Sequence, residues 1–227
     1  MIKGQGGIMG KERLLQLEEY IKVQQKVSPE TLCEKFGVSM STLRRDINTL
    51  EQMGCAQKAY GCILYNYSAA KIIPFHVRST INQEQKRAAC AAAASLIQDN
   101  DTIFIDSGST TCYILDYVSH LKNITVITGN IDIIIKALAL DNVTVFVLPG
   151  LLNKKNNSFT PTNAKEAFAP YNITKACIAA SGMSLANGFS HSDPMERETK
   201  LAATQKSETI CFVLDDSKFG HPSLISL

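Results

Sequence analysis

Two sets of residues along this chain have the types and spacing to do chemistry. The first is Ser39-Met-Ser-Thr-Leu-Arg-Arg-Asp-Ile-Asn48. Read as a helix capped by Ser39, it turns Leu43 and Ile47 to one side and leaves Met40, Ser41, Thr42, Arg44, Arg45 and Asn48 on or near the other. Short hydroxyls beside paired guanidinium groups suit phosphate oxygens and guanine edges, and such a helix fits the major groove of duplex DNA. Lys58, further along, adds a cation for the phosphate backbone. The bland alternative is a three-helix packing unit whose charged face meets only water.

The second set is Asp106-Ser-Gly-Ser-Thr-Thr111, which follows a β-branched run and opens a helical stretch. A strand–glycine loop–helix junction offers backbone N–H groups and a positive dipole end to a phosphate. Gly108 lets the phosphate approach the backbone, while Ser107, Ser109, Thr110 and Thr111 add hydroxyl donors. No Gly-Lys-[Ser/Thr] follows, so this is not a P-loop. A purely structural tight turn is the alternative. Asn130 in Thr128-Gly-Asn130 supplies an amide for hydroxyls, and Lys218 in Asp215-Asp-Ser-Lys-Phe-Gly220 a cation for the phosphate. Asp106 supplies an acceptor for sugar hydroxyls. Ser181-Gly-Met183 with Gly188 and Glu196 could form another wall, although Glu196, Glu198 and Lys200 read as a solvated helix face. The four histidines show no ligand spacing and read as surface or packing residues. Cys112, at a helix start, could have some thiolate character, but a redox role is not the favoured reading. No metal or cofactor is expected.

These groups need elements to hold them. From Lys11 to about Met53, apolar residues recur at helical spacing, as in Leu14, Leu17 and Ile21, then Leu43, Ile47 and Leu50. Ser28-Pro29 reads as an N-cap and first helical position, Gly37 as a turn and Gly54 as a C-cap. Three helices are expected near 10–24, 29–36 and 40–53, with Leu32, Phe36, Val38, Leu43 and Ile47 facing inward and Cys33 small enough for a close helix crossing. Cys55–Tyr65 reads as a hairpin around Tyr60-Gly61, usable as a wing. A domain over 10–66, a linker over 67–81 and a second domain over 82–227 follow. In that second domain an alanine-rich helix near 82–98 precedes apolar runs at Thr102–Asp106, Ile124–Thr128, Val143–Leu148, Ala176–Ala180 and Thr209–Leu214. Apolar strands alternating with helices indicate an α/β fold with a mostly parallel sheet covered on both faces. Polar groups at three strand ends suggest one pocket beyond the strands' C-terminal edge.

With 45% hydrophobic and 19% charged residues over 227 positions, the chain can bury a core, which excludes general disorder. Seven cysteines with no CxxC pair argue against a disulfide scaffold or zinc ribbon and for the cytoplasm. Apolar runs are far shorter than the ~20 residues of a membrane helix, so no membrane partner is expected. Met1–Gly10 is Gly-rich and is left outside the fold. Residues 1–62 carry nine Lys/Arg against seven Asp/Glu, and residues 63–227 carry fourteen of each. Any DNA-binding charge is therefore placed locally.

Phe36-x-Val38-Ser39-x-x-Thr42-x-Arg44-Arg45-Asp46-x-x-x-Leu50 resembles the winged helix–turn–helix signature of the DeoR family of bacterial transcriptional regulators. The wing differs: where that family shows an arginine and then a His-Gly-Gly-Ala run, this chain has Lys58-Ala-Tyr-Gly-Cys62. Phe75-x-x-Arg78-x-x-x-Asn82-x-x-x-Lys86 is similar to the segment joining that family's two domains. The 106–111 loop, Thr128-Gly-Asn130 and Asp215-x-Ser-Lys-Phe-Gly220 match its sensor-domain landmarks, with Pro149-Gly150 in place of a Gly-Gly pair. The resemblance implies a sensor domain similar in fold to ribose-5-phosphate isomerase and a further strand or helix beyond Leu227. It also implies a repressor of a carbohydrate operon, bound to double-stranded operator DNA as a homodimer or homotetramer and released by a phosphorylated sugar or sugar derivative. The rival is a sugar-phosphate isomerase with an appended helical domain. Isomerases of similar fold carry their general base near a run of glycines without counterpart here, so binding without turnover is expected.

Overall fold

The computed structural model describes residues 5–52, 55–65 and 75–227, and the chain divides into two compact units, Met1–Ile73 and Pro74–Leu227. The first holds helices α1 (Gln5–Gln24), α2 (Pro29–Phe36) and α3 (Met40–Gln52) with strands β1 (Lys26–Val27), β2 (Ala56–Ala59) and β3 (Cys62–Tyr65). The three strands form an antiparallel sheet in the order β1-β3-β2. Local chemistry sets the helix ends. The Ser28 hydroxyl accepts from the Thr31 N–H at 3.1 Å ahead of Pro29, and Gly37 closes α2 in the left-handed region at φ +60. Leu17, Ile21, Leu32, Leu43, Ile47 and Leu50 are buried together with Val27 and Ile63. Each such burial contributes about 1.5–3 kcal/mol. Helix α1 begins earlier than the expected 10–24, taking in residues assigned to a tail. Gly54 and the 67–74 part of the linker lie outside the described residues.

In the second unit, α4 (Phe75–Arg78) and α5 (Gln83–Ala94) lead into β4 (Thr102–Ile105), followed by a 3-10 helix over Thr111–Tyr117. Strand β5 (Ile124–Thr128), α6 (Ile131–Ala137) and β6 (Val143–Val147) come next, then the hairpin β7 (Leu151–Asn153) with β8 (Ser158–Thr160) and α7 (Ala164–Phe168). The chain continues through β9 (Ile173–Ile178), β10 (Gly182–Ser184), β11 (Gly188–His191), α8 (Pro194–Lys206), β12 (Ser207–Phe212), a second 3-10 turn at Asp216–Lys218 and β13 (Ile225–Ser226). Five strands make an all-parallel sheet in the order β12-β9-β4-β5-β6. Alternation sends Ile103 and Ile105 to the face covered by α5, the 3-10 helix and α6. Phe104 goes to the opposite face, with Phe168 of α7 and Ala203 of α8.

Connectivity fixes where a ligand can sit. From β4 the chain moves outward to β5 and β6, then returns to β9 on the other side of β4. Beyond the C-terminal ends of β4 and β9 the connections diverge, to β5 on one side and β12 on the other, the place where open parallel sheets bind ligands. Residues 75–81 are not linker. Phe75 and Val77 are buried, and the Phe75 N–H donates to the Lys155 carbonyl at 2.7 Å. Strand β9 starts three residues before the expected Ala176, because Thr174 and Lys175 are not solvent-facing breaks. Their side chains meet Asp101 at 2.8 Å and 2.6 Å. No helix among the described residues is long and apolar enough to cross a membrane.

Candidate functional site

On α3 the residues expected to read DNA share an outer surface. Ser41, Arg44, Arg45 and Asn48 are exposed, while Leu43 and Ile47 are buried behind them. Ser39 caps the helix, accepting from the Thr42 N–H at 3.3 Å, and its hydroxyl lies 2.9 Å from that of Ser41 and 3.0 Å from that of Thr42. Asp46 has a different role. It takes a forked contact from Arg13, Nε to Oδ2 at 2.8 Å and Nη2 to Oδ1 at 3.3 Å, which ties α1 to α3. Lys58, expected to meet the phosphate backbone, pairs with Glu51 at 2.8 Å and also donates to the Asn48 side chain.

Where β4 and β9 end and their connections diverge, Asp106 spans the divide. Its Oδ2 accepts from the Ala179 N–H at 3.0 Å and from the Lys200 ammonium, which also donates to the Ala179 carbonyl at 3.1 Å. Asp106 is thus occupied by a buried ion pair, where an open acceptor for hydroxyls was expected. Lys200, expected on a solvated helix face, is 1% exposed, and Glu196 is 5% exposed; Glu198 does face water.

The loop at 106–111 closes on itself. Thr111 is fully buried, and its hydroxyl donates to the carbonyls of Asp106 at 2.8 Å and Gly108 at 3.1 Å. The expected α-helix behind the loop is a short 3-10 helix, so less dipole is aimed at a bound anion than an α-helix would supply. A cation that sequence reasoning missed stands beside the loop. Lys86, buried on α5, reaches the Ser109 hydroxyl at 3.2 Å and also donates to the Arg78 carbonyl. Burial pulls its ammonium down to about 8, against the attraction of Asp215. Asp215 itself is held below its usual range: burial would raise it, but the Ser217 hydroxyl, Lys218, Asn82 and Lys86 outweigh that. Lys218 lies on the adjoining 3-10 turn.

Gly108 has a packing reason as well. A Cβ added there would lie 2.3 Å from the Ala179 Cβ. Gly108→Val is therefore expected to lower stability by about 1–3 kcal/mol even without ligand, as read from a thermal melt. A valine variant as stable as the parent would count against this packing role. Burial pushes the Cys112 thiol up to about 11, away from thiolate character.

Arg78 donates to the Asn156 side-chain oxygen at 2.9 Å, and Asn156 donates to Asp193 at 3.4 Å. His191 is buried here and not on the surface. Its Nδ1 accepts from the Asp193 N–H at 3.1 Å, so the proton sits on Nε2, which points at Glu196 Oε2 3.3 Å away. Burial and nearby Lys200 push the imidazole down to about 3, keeping it neutral, and burial pushes the Glu196 carboxyl up against the pull of Lys200. Among the described residues, five buried side-chain atoms lack a hydrogen-bond partner: Asn130 Nδ2, Ser158 Oγ, Glu196 Oε1, Thr199 Oγ1 and Asp215 Oδ2. Asn130 and Asp215 follow β5 and β12, Ser158 is bridged to Asn130, and Glu196 and Thr199 sit in the first half of α8. Among the described residues no three His, Cys, Asp or Glu side chains are grouped to hold a metal.

A family model described as a DeoR-like helix-turn-helix domain matches residues 13–69, and one described as the DeoR C terminal sensor domain matches residues 81–227. The chain is 36% identical over 214 residues to the HTH-type transcriptional regulator IolR of Bacillus subtilis (strain 168), covering 94% of this chain and 85% of that protein. It is 24% identical over 209 residues to the glycerol-3-phosphate regulon repressor of Escherichia coli (strain K12), covering 92% and 82%. Among solved structures, ribose 5-phosphate isomerase from Plasmodium falciparum is similar over 60% of this chain and 52% of that one, at 19% identity and a TM-score of 0.43.

Proposed function

The chain belongs to the DeoR family of helix–turn–helix transcriptional regulators, and we propose that it is a repressor whose sheet unit binds a phosphorylated sugar or polyol and then releases DNA. Two relatives are named the glycerol-3-phosphate regulon repressor and a putative aga operon transcriptional repressor, which supports repression, and the first name supports a phosphorylated ligand. The chain pairs as a dimer or tetramer, because one helix–turn–helix reads only a few base pairs.

The observation that carries the ligand reading is that five buried polar atoms, on Asn130, Ser158, Glu196, Thr199 and Asp215, lack a hydrogen-bond partner among the described residues, while the Lys86 ammonium is buried against the Ser109 hydroxyl. A protein interior rarely leaves such groups unmade, and a polyhydroxylated ligand satisfies both donors and acceptors. The phosphate lies at Ser107, Gly108, Ser109 and Thr110, between Lys86 and Lys218. Asn130, Ser158, Glu196, Thr199 and Asp215 take the hydroxyls, and Asp106 and Thr111 hold the loop in shape.

Calorimetry with a panel of sugar phosphates tests this. Lys86→Ala and Lys218→Ala are each expected to weaken binding by about one to two decades, since a charge-assisted hydrogen bond is worth roughly 1.5–3 kcal/mol. DNA affinity without ligand stays at the parent value. Affinity for the sugar phosphate should hold up to pH about 8 and fall above it, as the Lys86 ammonium loses its proton. Unchanged binding in both variants would refute the placement of the phosphate. Conversion of any ligand would favour the isomerase reading.

A further inference from the structure

We infer that the wing of this protein meets DNA through the ring of Tyr60, while Lys58 is withheld from the phosphates by a clamp onto α3. This rests on the DNA-binding reading above. Lys58 is gripped twice by one carboxylate: its backbone N–H donates to Glu51 Oε1 at 3.1 Å and its ammonium to Glu51 Oε2 at 2.8 Å. The same ammonium donates to the Asn48 side-chain oxygen. The clamp fixes the angle between the wing and the second half of α3, and it cancels the wing's one positive charge against Glu51. Two residues that the sequence suggested for DNA, Lys58 and Asn48, are engaged with each other.

What the wing then presents is Tyr60. Ala59 and Cys62 face each other across the hairpin, so Tyr60 and Gly61 form a two-residue turn, with Gly61 at φ +68, where a glycine is favoured. The turn holds the phenol clear of the protein, and Tyr60 is wholly exposed. Its neighbours Gln57, Ala59 and Gly61 are exposed and uncharged. The other large apolar side chain exposed in this unit, among the described residues, is Val23 near the end of α1. A helix seated in the major groove leaves a hairpin packed on its second half over the flanking backbone and the adjoining minor groove. An aromatic ring there packs on deoxyribose and the groove wall. Such a contact adds affinity without displacing counterions, unlike a lysine on a phosphate.

The test uses the full chain and the duplexes it selects from a random-sequence pool. Tyr60→Ala is expected to bind a selected duplex about tenfold more weakly, with an unchanged dependence of log K on log salt. It should also lose hydroxyl-radical protection over the minor groove beside the major-groove site. Tyr60→Phe, which keeps the ring, should stay within about twofold of the parent. Lys58→Met should leave the salt slope as it is, whereas losing a lysine on a phosphate would lower it by about one. Tyr60→Ala binding like the parent with an intact footprint, or Lys58→Met lowering the slope by about one, would overturn the inference. A parent chain that selects no duplex would sink the DNA-binding reading itself, a separate and recognisable failure.

Discussion

Replacing Lys200 with alanine is expected to cost the sheet unit about 3–5 kcal/mol of its unfolding free energy. The ammonium is 1% exposed and pairs with an Asp106 carboxylate that is 3% exposed, 94 positions away in sequence. Without it, Asp106 keeps the Ala179 N–H and little else in a site closed to water. A lone buried carboxylate costs far more than the pair it came from, and a whole domain is stable by only about 5–15 kcal/mol. Urea unfolding followed by circular dichroism measures the loss. Lys200→Met combined with Asp106→Asn should recover much of it, because removing both charges leaves neither unpaired. A loss below about 1 kcal/mol in Lys200→Ala, the range of an exposed pair, would show that water reaches the site.

Arg44→Ala with Arg45→Ala is expected to abolish sequence-specific DNA binding at working concentrations. Each base-reading contact is worth about 1–3 kcal/mol, so two together weaken binding by about 30-fold to 10⁴-fold. The fold survives, because both side chains are exposed and lie outside the buried Leu43, Ile47 and Leu50 stripe. The neighbouring Asp46 is unsuited to this experiment, since its loss would also break the Arg13 fork. Mobility shifts on a selected duplex, beside a thermal melt, make the comparison. A parent footprint with two half-sites about 34–36 Å apart would fit a dimer. A folded double variant that binds as tightly as the parent would mean that α3 is not the reading helix.

The sequence by itself determined the three helices and the hairpin of the first unit and the five parallel strands of the second, but not α4 or the β7–β8 and β10–β11 hairpins. Helix ends are local events: Ser28-Pro29, Gly37 and Ser39 cap or stop helices by bonds to residues a few positions away. The parallel strands are legible for the same reason, because burial on both faces writes an apolar run into the chain. The exception shows the rule. Thr174 and Lys175 hid the start of β9, since what makes them compatible with a strand is Asp101, more than seventy positions earlier.

The loop at 106–111, Asn130 and Lys218 were legible as candidates because their residue types announce phosphate and hydroxyl chemistry at strand ends. Their partners were not. Glu196 and Lys200 fall on a helix whose charges look solvated in sequence, and only the return of the chain from β6 to β9 lays that helix over the end of β4. There Lys200 meets Asp106 and Glu196 meets His191. Lys86 and Arg78 looked like parts of a joining segment until α4 and α5 packed onto the sheet and brought them to Ser109 and Asn156. In the wing, Lys58 has the right charge for a phosphate, and Glu51, seven positions earlier, takes it away. Backbone propensity and apolar period act over a few residues and can be read along a line. Ion pairs and unfilled hydrogen bonds depend on which distant groups share a space closed to water, and only the tertiary structure decides that.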